Sequence, residues 1–433
     1  MRHILALIEP LRTNGLRAPV RATSADLPDL TGIGGEQWEP AITGSVRVAL
    51  RAFGGDFSAL GSSSSSISLQ LEMQVIKETY SDADQLDWSD APVTLYHAAE
   101  GDTWPIPAFV MARVRSYRRE KNTLTLTCTV DTEPFEVDVP TGSYAGTTGT
   151  EGGADLKDTV KPLVLGHARN VEPVAIDLID NVYQFSAYGP IEAVTTLYER
   201  GADFGVSVGD FASYAALVAA DIEEGRWGTC LAEGLIRLGA PAFGVITGDV
   251  RGHEVSGAAP RLPGSLISVL MDLAGVSSAL AESGTLTALD ADKPYPMSLV
   301  LRETRSLLDI AREIGAACNH IVGVNLLGQL FVQKIRIGAT PGIELDAQGK
   351  SWPQVISARE VSTSAPYSRI MLGAEPCWRV HTTDEIAFQA ELVERGAYDN
   401  ATWYREGNIV SSSDGSRWLY TATVPGSGNA PPT

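Results

Sequence analysis

The residue types that do chemistry are scattered along this chain. It holds no GxSxG elbow, no HExxH, no P-loop and no GxGxxG after a strand-like run. None of the local arrangements that aim a nucleophile, a zinc-bound water or a phosphate is therefore written in it. The six histidines, His3, His97, His167, His253, His320 and His381, never stand three or four residues apart, so metal ligation from one face of a helix is excluded. The acidic pairs Asp82 with Asp84 and Glu223 with Glu224 would serve as acid and base in glycoside cleavage, or hold a cation, if they faced one cleft. In a chain with 53 acidic residues such pairs arise without purpose, and they read as solvated faces. Cys128, Cys230, Cys318 and Cys377 form no CxxC pair and read as buried free thiols rather than zinc ligands, disulfides or an iron–sulfur set. The expectation is no catalytic residue, no metal, no cofactor and no enzymatic activity.

One constellation stands out. Tyr398, Trp403, Tyr404, Trp418 and Tyr420 fall within 23 residues, whereas aromatics make up 7% of the chain. Flat aromatic faces bind the C–H faces of sugar rings while their edges tolerate water. The same five rings would equally serve as the miniature core of a small module with little else to bury. Both uses stay open at this stage.

Composition sets the frame. With 433 residues, 44% hydrophobic and 20% charged, the chain is long enough for several domains, each with its own core. The net charge of −20 with no basic cluster argues against phosphate-neutralising DNA binding. The apolar run from Ile4 to Ile8 is broken by Glu9 and Pro10, too short for a signal-peptide core and far below the roughly 20 residues of a membrane span. Assembly in the cytoplasm is expected, with no membrane span.

The elements that must position these residues are mainly strands. Apolar residues at every second position mark Ile67 to Met73 and Pro92 to Tyr96. The runs 109–114 and 123–130, joined by the charged turn Arg118 to Asn122, read as an antiparallel hairpin. Ser62 to Ser66 and the Gly- and Thr-rich stretch between Pro140 and Asp155 read as mobile loops. Helical spacing is confined to 265–274 and 304–314, with Ser265 and Thr304 as caps and Gly275 and Gly315 as stops. A hairpin follows at 321–332. The expected fold is mainly β and multi-domain: barrel or sandwich domains at 1–154 and 155–261, a small α+β unit at 262–337, a β segment at 338–394 that completes an earlier barrel or stands apart, and a turn-rich β-module at 395–433. A module that small should lean on a neighbour.

Two resemblances enter here. Gly396 to Asp399, Trp403 to Val410, Gly415 to Trp418 and Gly428 to Pro432 together resemble the small chitin-binding-type carbohydrate-binding modules. In that family an aromatic opens the module, a Tyr precedes a Gly-Asp-Val turn and a further aromatic follows a short Gly turn. Those places fall on Tyr398, Tyr404, Gly407-Asn408-Ile409 and Trp418, with Asn408 in place of the Asp. The resemblance implies sugar binding by Tyr398, Trp403, Tyr404, Trp418 and Tyr420.

Lys161 to Val174, Val182-Tyr183, Gly201-Ala202, Arg237 to Gly239 and Gly244 to Gly252 look like tail proteins of long-tailed phages and prophages, which are similar to baseplate hubs. That resemblance implies a homotrimeric ring in the virion tail tip that continues or closes the tail tube. Its partners would be a distal tail protein, the tape-measure protein and tail fibre proteins, with DNA passing only in transit and a host-surface glycan as a further partner. The rival expectation is a receptor-binding or glycan-degrading tail protein acting through the C-terminal module.

Overall fold

The computed structural model describes residues 2–24, 38–51, 68–76, 84–99, 106–121, 123–334, 376–386 and 391–431. The chain is mainly β and multi-domain. It divides into two compact units, each discontinuous in sequence: Met1–Val137 with Gly275–Leu289 and Ser306–Ser368, and Asp138–Ala274 with Asp290–Arg305 and Arg369–Thr433.

The first unit is built on a seven-stranded antiparallel sheet. Its strands are β1 (Arg2–Ile8), β2 (Val20–Thr23), β3 (Ile42–Arg51), β4 (Ser68–Ile76), β5 (Pro92–Ala99), β6 (Ala108–Arg119) and β7 (Thr123–Val130), in the order β2-β1-β5-β6-β7-β4-β3. The pattern of β7 shows why it is a strand. Leu124, Leu126, Cys128 and Val130 all turn to the core while threonines alternate between them, and a threonine's branched Cβ suits the pleated, half-exposed face. Each such buried side chain contributes roughly 1.5–3 kcal/mol. The expected hairpin is present, with Val114 opposite Cys128 and Arg119 opposite Leu124. The Ser62–Ser66 tract and most of the expected 338–394 segment, residues 338–375 and 387–390, lie outside the described residues.

The second unit contains a two-sheet sandwich. After the two-residue β8 (Asp138–Val139) come β9 (Leu163–Val171), β10 (Val174–Asp177), β11 (Val182–Gln184), β12 (Ile191–Glu199), β13 (Ala202–Asp203), β14 (Ser207–Asp210), α1 (Tyr214–Ala219), β15 (Trp227–Cys230), β16 (Leu235–Leu238), β17 (Ile246–His253), α2 (Pro263–Leu273), β18 (Ser298–Leu301) and the short β19 (Arg305–Ser306); α3 (Thr285–Asp292), between α2 and β18 in the chain, falls mostly in the first unit. One sheet runs β13-β12-β17-β9-β18, the other β10-β11-β16-β15-β14. Val164, Phe185, Leu197, Trp227, Ile236 and Val250 form the core. The period of two sorts residues between faces: Ile236 joins that core, while Leu235 beside it joins a second cluster with Val182, Cys230 and Leu217 of α1.

That second cluster corrects the reading of the Gly- and Thr-rich stretch as a mobile loop. Tyr144 is buried in the cluster, its hydroxyl donates to Gln184 Oε1 at 2.7 Å, and Lys161 Nζ meets Glu151 Oε1 at 2.5 Å. A single large ring anchors a backbone whose composition otherwise reads as loop.

Both expected helices form, with different ends. Ser265 lies inside the first turn of α2 rather than capping it. The orphan N–H groups of Gly264 and Ser265 are instead taken by the Asp290 carboxylate, at 2.6 Å from Gly264 N. Gly275, at φ +70°, does stop α2. In the first unit α4 (Leu307–Ala317) buries Leu307, Leu308, Ile310, Ala311 and Ile314, and begins after Ser306 rather than Thr304. It runs through Gly315, which lies directly against Val322 of the hairpin β20 (His320–Val324) and β21 (Leu330–Lys334). The stretch 262–337 is thus shared between the two units. The sandwich does not include the C-terminal strands β22 (Val393–Ala397), β23 (Asn408–Ser411) and β24 (Arg417–Leu419), which form a separate three-stranded sheet.

Candidate functional site

The C-terminal module is organised by one extended segment with two faces. Tyr404 pairs with Gly426 through both backbone hydrogen bonds, each 2.9 Å. In extended backbone successive side chains point to opposite sides. Tyr404 turns inward: it is buried, its hydroxyl donates to Asp399 O at 3.2 Å and accepts from Asp399 N at 2.8 Å, and its ring stacks on Tyr398 with centroids 5.6 Å apart. Trp403 and Arg405, on either side of it, turn toward the sandwich.

The inward face encloses a cavity of about 330 Å³ lined by Tyr398, Tyr404, Val410, Trp418, Tyr420 and Pro431 among others. That is near the small end of ligand pockets, roughly 300–1,000 Å³. The tyrosine hydroxyls donate within the module: Tyr398 to Asn400 Oδ1 at 3.1 Å and Tyr420 to Val424 O at 2.9 Å. Burial pushes the Tyr420 hydroxyl above its ordinary value, with a hydrogen bond to Asn429 acting the other way. The indole N–H of Trp418 is buried and has no hydrogen-bond partner among the described residues. The lining mixes ring faces and methyl groups with polar side chains, Thr421 and Asn429 among them. Asn408, fully buried, closes the neighbouring turn by accepting from Arg405 N at 3.0 Å.

The outward face is a joint built on charge. Arg405, 7% exposed, reaches Glu224 with Nε at 2.5 Å from Oε1. It also donates to Pro241 O at 2.9 Å and lays its guanidinium 3.5 Å from the Phe243 ring centroid. Arg395 holds the other oxygen of Glu224 at 2.6 Å. Trp403 lies under the Arg226 guanidinium at 5.4 Å, and Pro425 fills the space beside Gly225, where an added Cβ would lie 2.8 Å away. Removing one partner of such a buried pair costs about 3–5 kcal/mol because the other charge stays behind without compensation.

Four of the five aromatic residues singled out in the sequence therefore share one cavity, and Trp403 sits apart, against the sandwich. Glu223 is exposed, but Glu224, expected on a solvated face, is 10% exposed and paired with two arginines. Asp84 is exposed and Asp82 lies outside the described residues. Cys128, Cys230 and Cys318 are buried and Cys377 is exposed; burial pushes the Cys128 thiol up to about 12. Among the described residues no His, Cys, Asp and Glu group is arranged to hold a metal. The sequence reading missed Glu224 and Arg405. The available signal was an arginine directly after an inward-facing tyrosine in a module too small to stand alone. A larger cavity of about 530 Å³ lies beside Glu172, Arg302 and Trp378, where Arg379 pairs with Glu172 at 2.6 Å.

Beneath the joint, Glu199 is buried and accepts from the backbone N–H of Phe243 and Gly244. Burial raises its pKa above the ordinary carboxylate range, outweighing those two hydrogen bonds and the attraction of Arg405 and Arg200. A carboxyl that binds protons more tightly folded than unfolded favours folding below the ordinary carboxylate pKa. That advantage is lost as pH rises through the folded value. Glu199→Gln keeps the acceptor oxygen and removes the buried charge. It is expected to raise the melting temperature by a few degrees at pH 7, with the gain shrinking toward pH 4 in calorimetry. A lower melting temperature at pH 7 would show that the arginine attraction outweighs the burial cost.

No protein-family model matches this chain, and no curated protein matches it. Among solved structures, a chain from the virion of a native gene transfer agent particle is similar over 58% of this chain and 80% of that one, at 14% identity and a TM-score of 0.21. A likeness of that degree carries no argument about fold or function. Among the described residues no helix is long and apolar enough to cross a membrane, which says nothing of a β-barrel.

Proposed function

We propose that the chain is a structural subunit of a bacteriophage tail tip, a baseplate hub protein that assembles as a homotrimeric ring, continues or closes the tail tube and anchors fibres. One observation carries this reading. The tip of the β10–β11 hairpin holds Leu178 and Ile179 in solvent, 70% and 92% exposed. Asp177 accepts from Ile179 N at 2.9 Å, Asp180 N at 3.1 Å and the Tyr214 hydroxyl at 2.8 Å, and Arg237 donates to Asp180 O at 3.0 Å. Turns ordinarily turn polar residues to water. A turn held this firmly with two large apolar side chains outward fits a surface that another subunit covers.

The net charge of −20 suits a conduit, since like charge keeps DNA from adhering in transit. The remaining partners under this reading are the distal tail protein, the tape-measure protein and tail fibre proteins, and the protein works by geometry rather than catalysis. Replacing both tip residues, Leu178→Asp with Ile179→Asp, is expected to convert a self-associating protein into a 46.1 kDa monomer in sedimentation velocity, with an unchanged circular dichroism spectrum. A wild-type protein that sediments as a monomer at all concentrations would remove the hairpin tip as support.

The aromatic cavity favours a second reading, recognition of a host-surface glycan by the C-terminal module. In affinity electrophoresis through glycol chitin, Tyr398→Ala or Trp418→Ala should weaken retardation about tenfold, the loss of one aromatic stacking contact. No retardation of the wild-type protein, in glycol chitin or in soluble peptidoglycan fragments, would remove this reading.

A further inference from the structure

We propose that the turn between β12 and β13 is a built clasp, in which Arg200 accepts an unfavourable backbone conformation so that its side chain holds the C-terminal module in one orientation on the sandwich. The inference is independent of whether the cavity takes a sugar. Glu199 pairs with Ala202, which leaves Arg200 and Gly201 as a two-residue hairpin loop with φ +54° and φ +79°. Two-residue hairpin loops with positive φ at both positions favour Asn, Asp or Gly first, because a long side chain with a Cβ is disfavoured there. An arginine in that place points to a task for its side chain.

The task is visible in the contacts. The Arg200 side chain is 7% exposed, and its Nη2 lies 2.6 Å from Glu406 Oε2 of the module. Its stem runs so close over Gly244 that a Cβ added there would lie 2.5 Å from Arg200 Cγ. The sandwich therefore grips the module at three of four successive positions: Arg226 on Trp403, Glu224 on Arg405 and Arg200 on Glu406. Tyr404 is left to face the cavity. With charge running in both directions across the joint, from Glu224 to Arg405 and from Arg200 to Glu406, a shifted docking would set like charges against each other. The clasp makes the cavity a rigid extension of the sandwich.

Hydrogen–deuterium exchange on the full chain tests this through Arg200→Asn, Arg200→Lys and Glu406→Gln. Asn fits the turn better than Arg but cannot reach Glu406. Arg200→Asn is therefore expected to speed exchange in residues 393–431 by about tenfold or more while residues 163–253 exchange at the wild-type rate or slower. Glu406→Gln should loosen the module likewise, and Arg200→Lys, which keeps the charge, should restore most of the protection. Unchanged module exchange in Arg200→Asn would overturn the proposal. So would faster exchange of module and sandwich together, which is the mark of a residue that only stabilises its own domain.

Discussion

The arrangement of the second unit depends on a constraint of size. A three-stranded module of about forty residues buries too little surface to stand alone, so it must share a boundary with something larger. Here the boundary is made by the buried pair of Arg405 with Glu224, backed by the Phe243 ring and the Pro241 carbonyl. Charges taken out of water are costly unless every partner is in place, and that makes the docking geometry specific. One extended segment then serves both needs. Alternation along Trp403, Tyr404 and Arg405 sends two side chains into the joint and one into the cavity, so holding the module does not consume the cavity face.

The same period of two builds the sandwich beneath it. Leu235 and Ile236, adjacent in sequence, supply different clusters on the two sides of one sheet. The second cluster, through its buried Tyr144, ties down a segment rich in Gly and Thr. Glu199 sits at the end of β12, where the sandwich, the Arg200 turn and the Arg405 site meet. Its burial, only partly offset by the attraction of Arg405 and Arg200, is the kind of local cost that persists where the surrounding contacts over-determine it.

Much of this was legible in the sequence wherever a pattern is local. The alternation of β7, its hairpin with β6, the buried face of α4 and the aromatic cluster near the C-terminus could all be read from spacing, and four of the five singled-out rings do line one cavity. What could not be read depends on residues far apart in the chain. The cap of α2 is Asp290, 26 residues from Gly264, and no local pattern announces it. Glu224 reads like any exposed acid until Arg405 is seen to reach it. Gly315 looks like a helix stop, yet its lack of a side chain serves contact with Val322, a packing reason rather than a conformational one.

The proposed ring rests on a mainly β architecture, a net charge of −20 and a stapled hairpin tip that leaves Leu178 and Ile179 exposed. Its central claim is that the protein acts as part of a ring. Electron microscopy of the purified full-length chain tests that most directly. The account predicts class averages of a threefold ring with a central opening; a compact monomer, or an assembly without threefold symmetry, would contradict it.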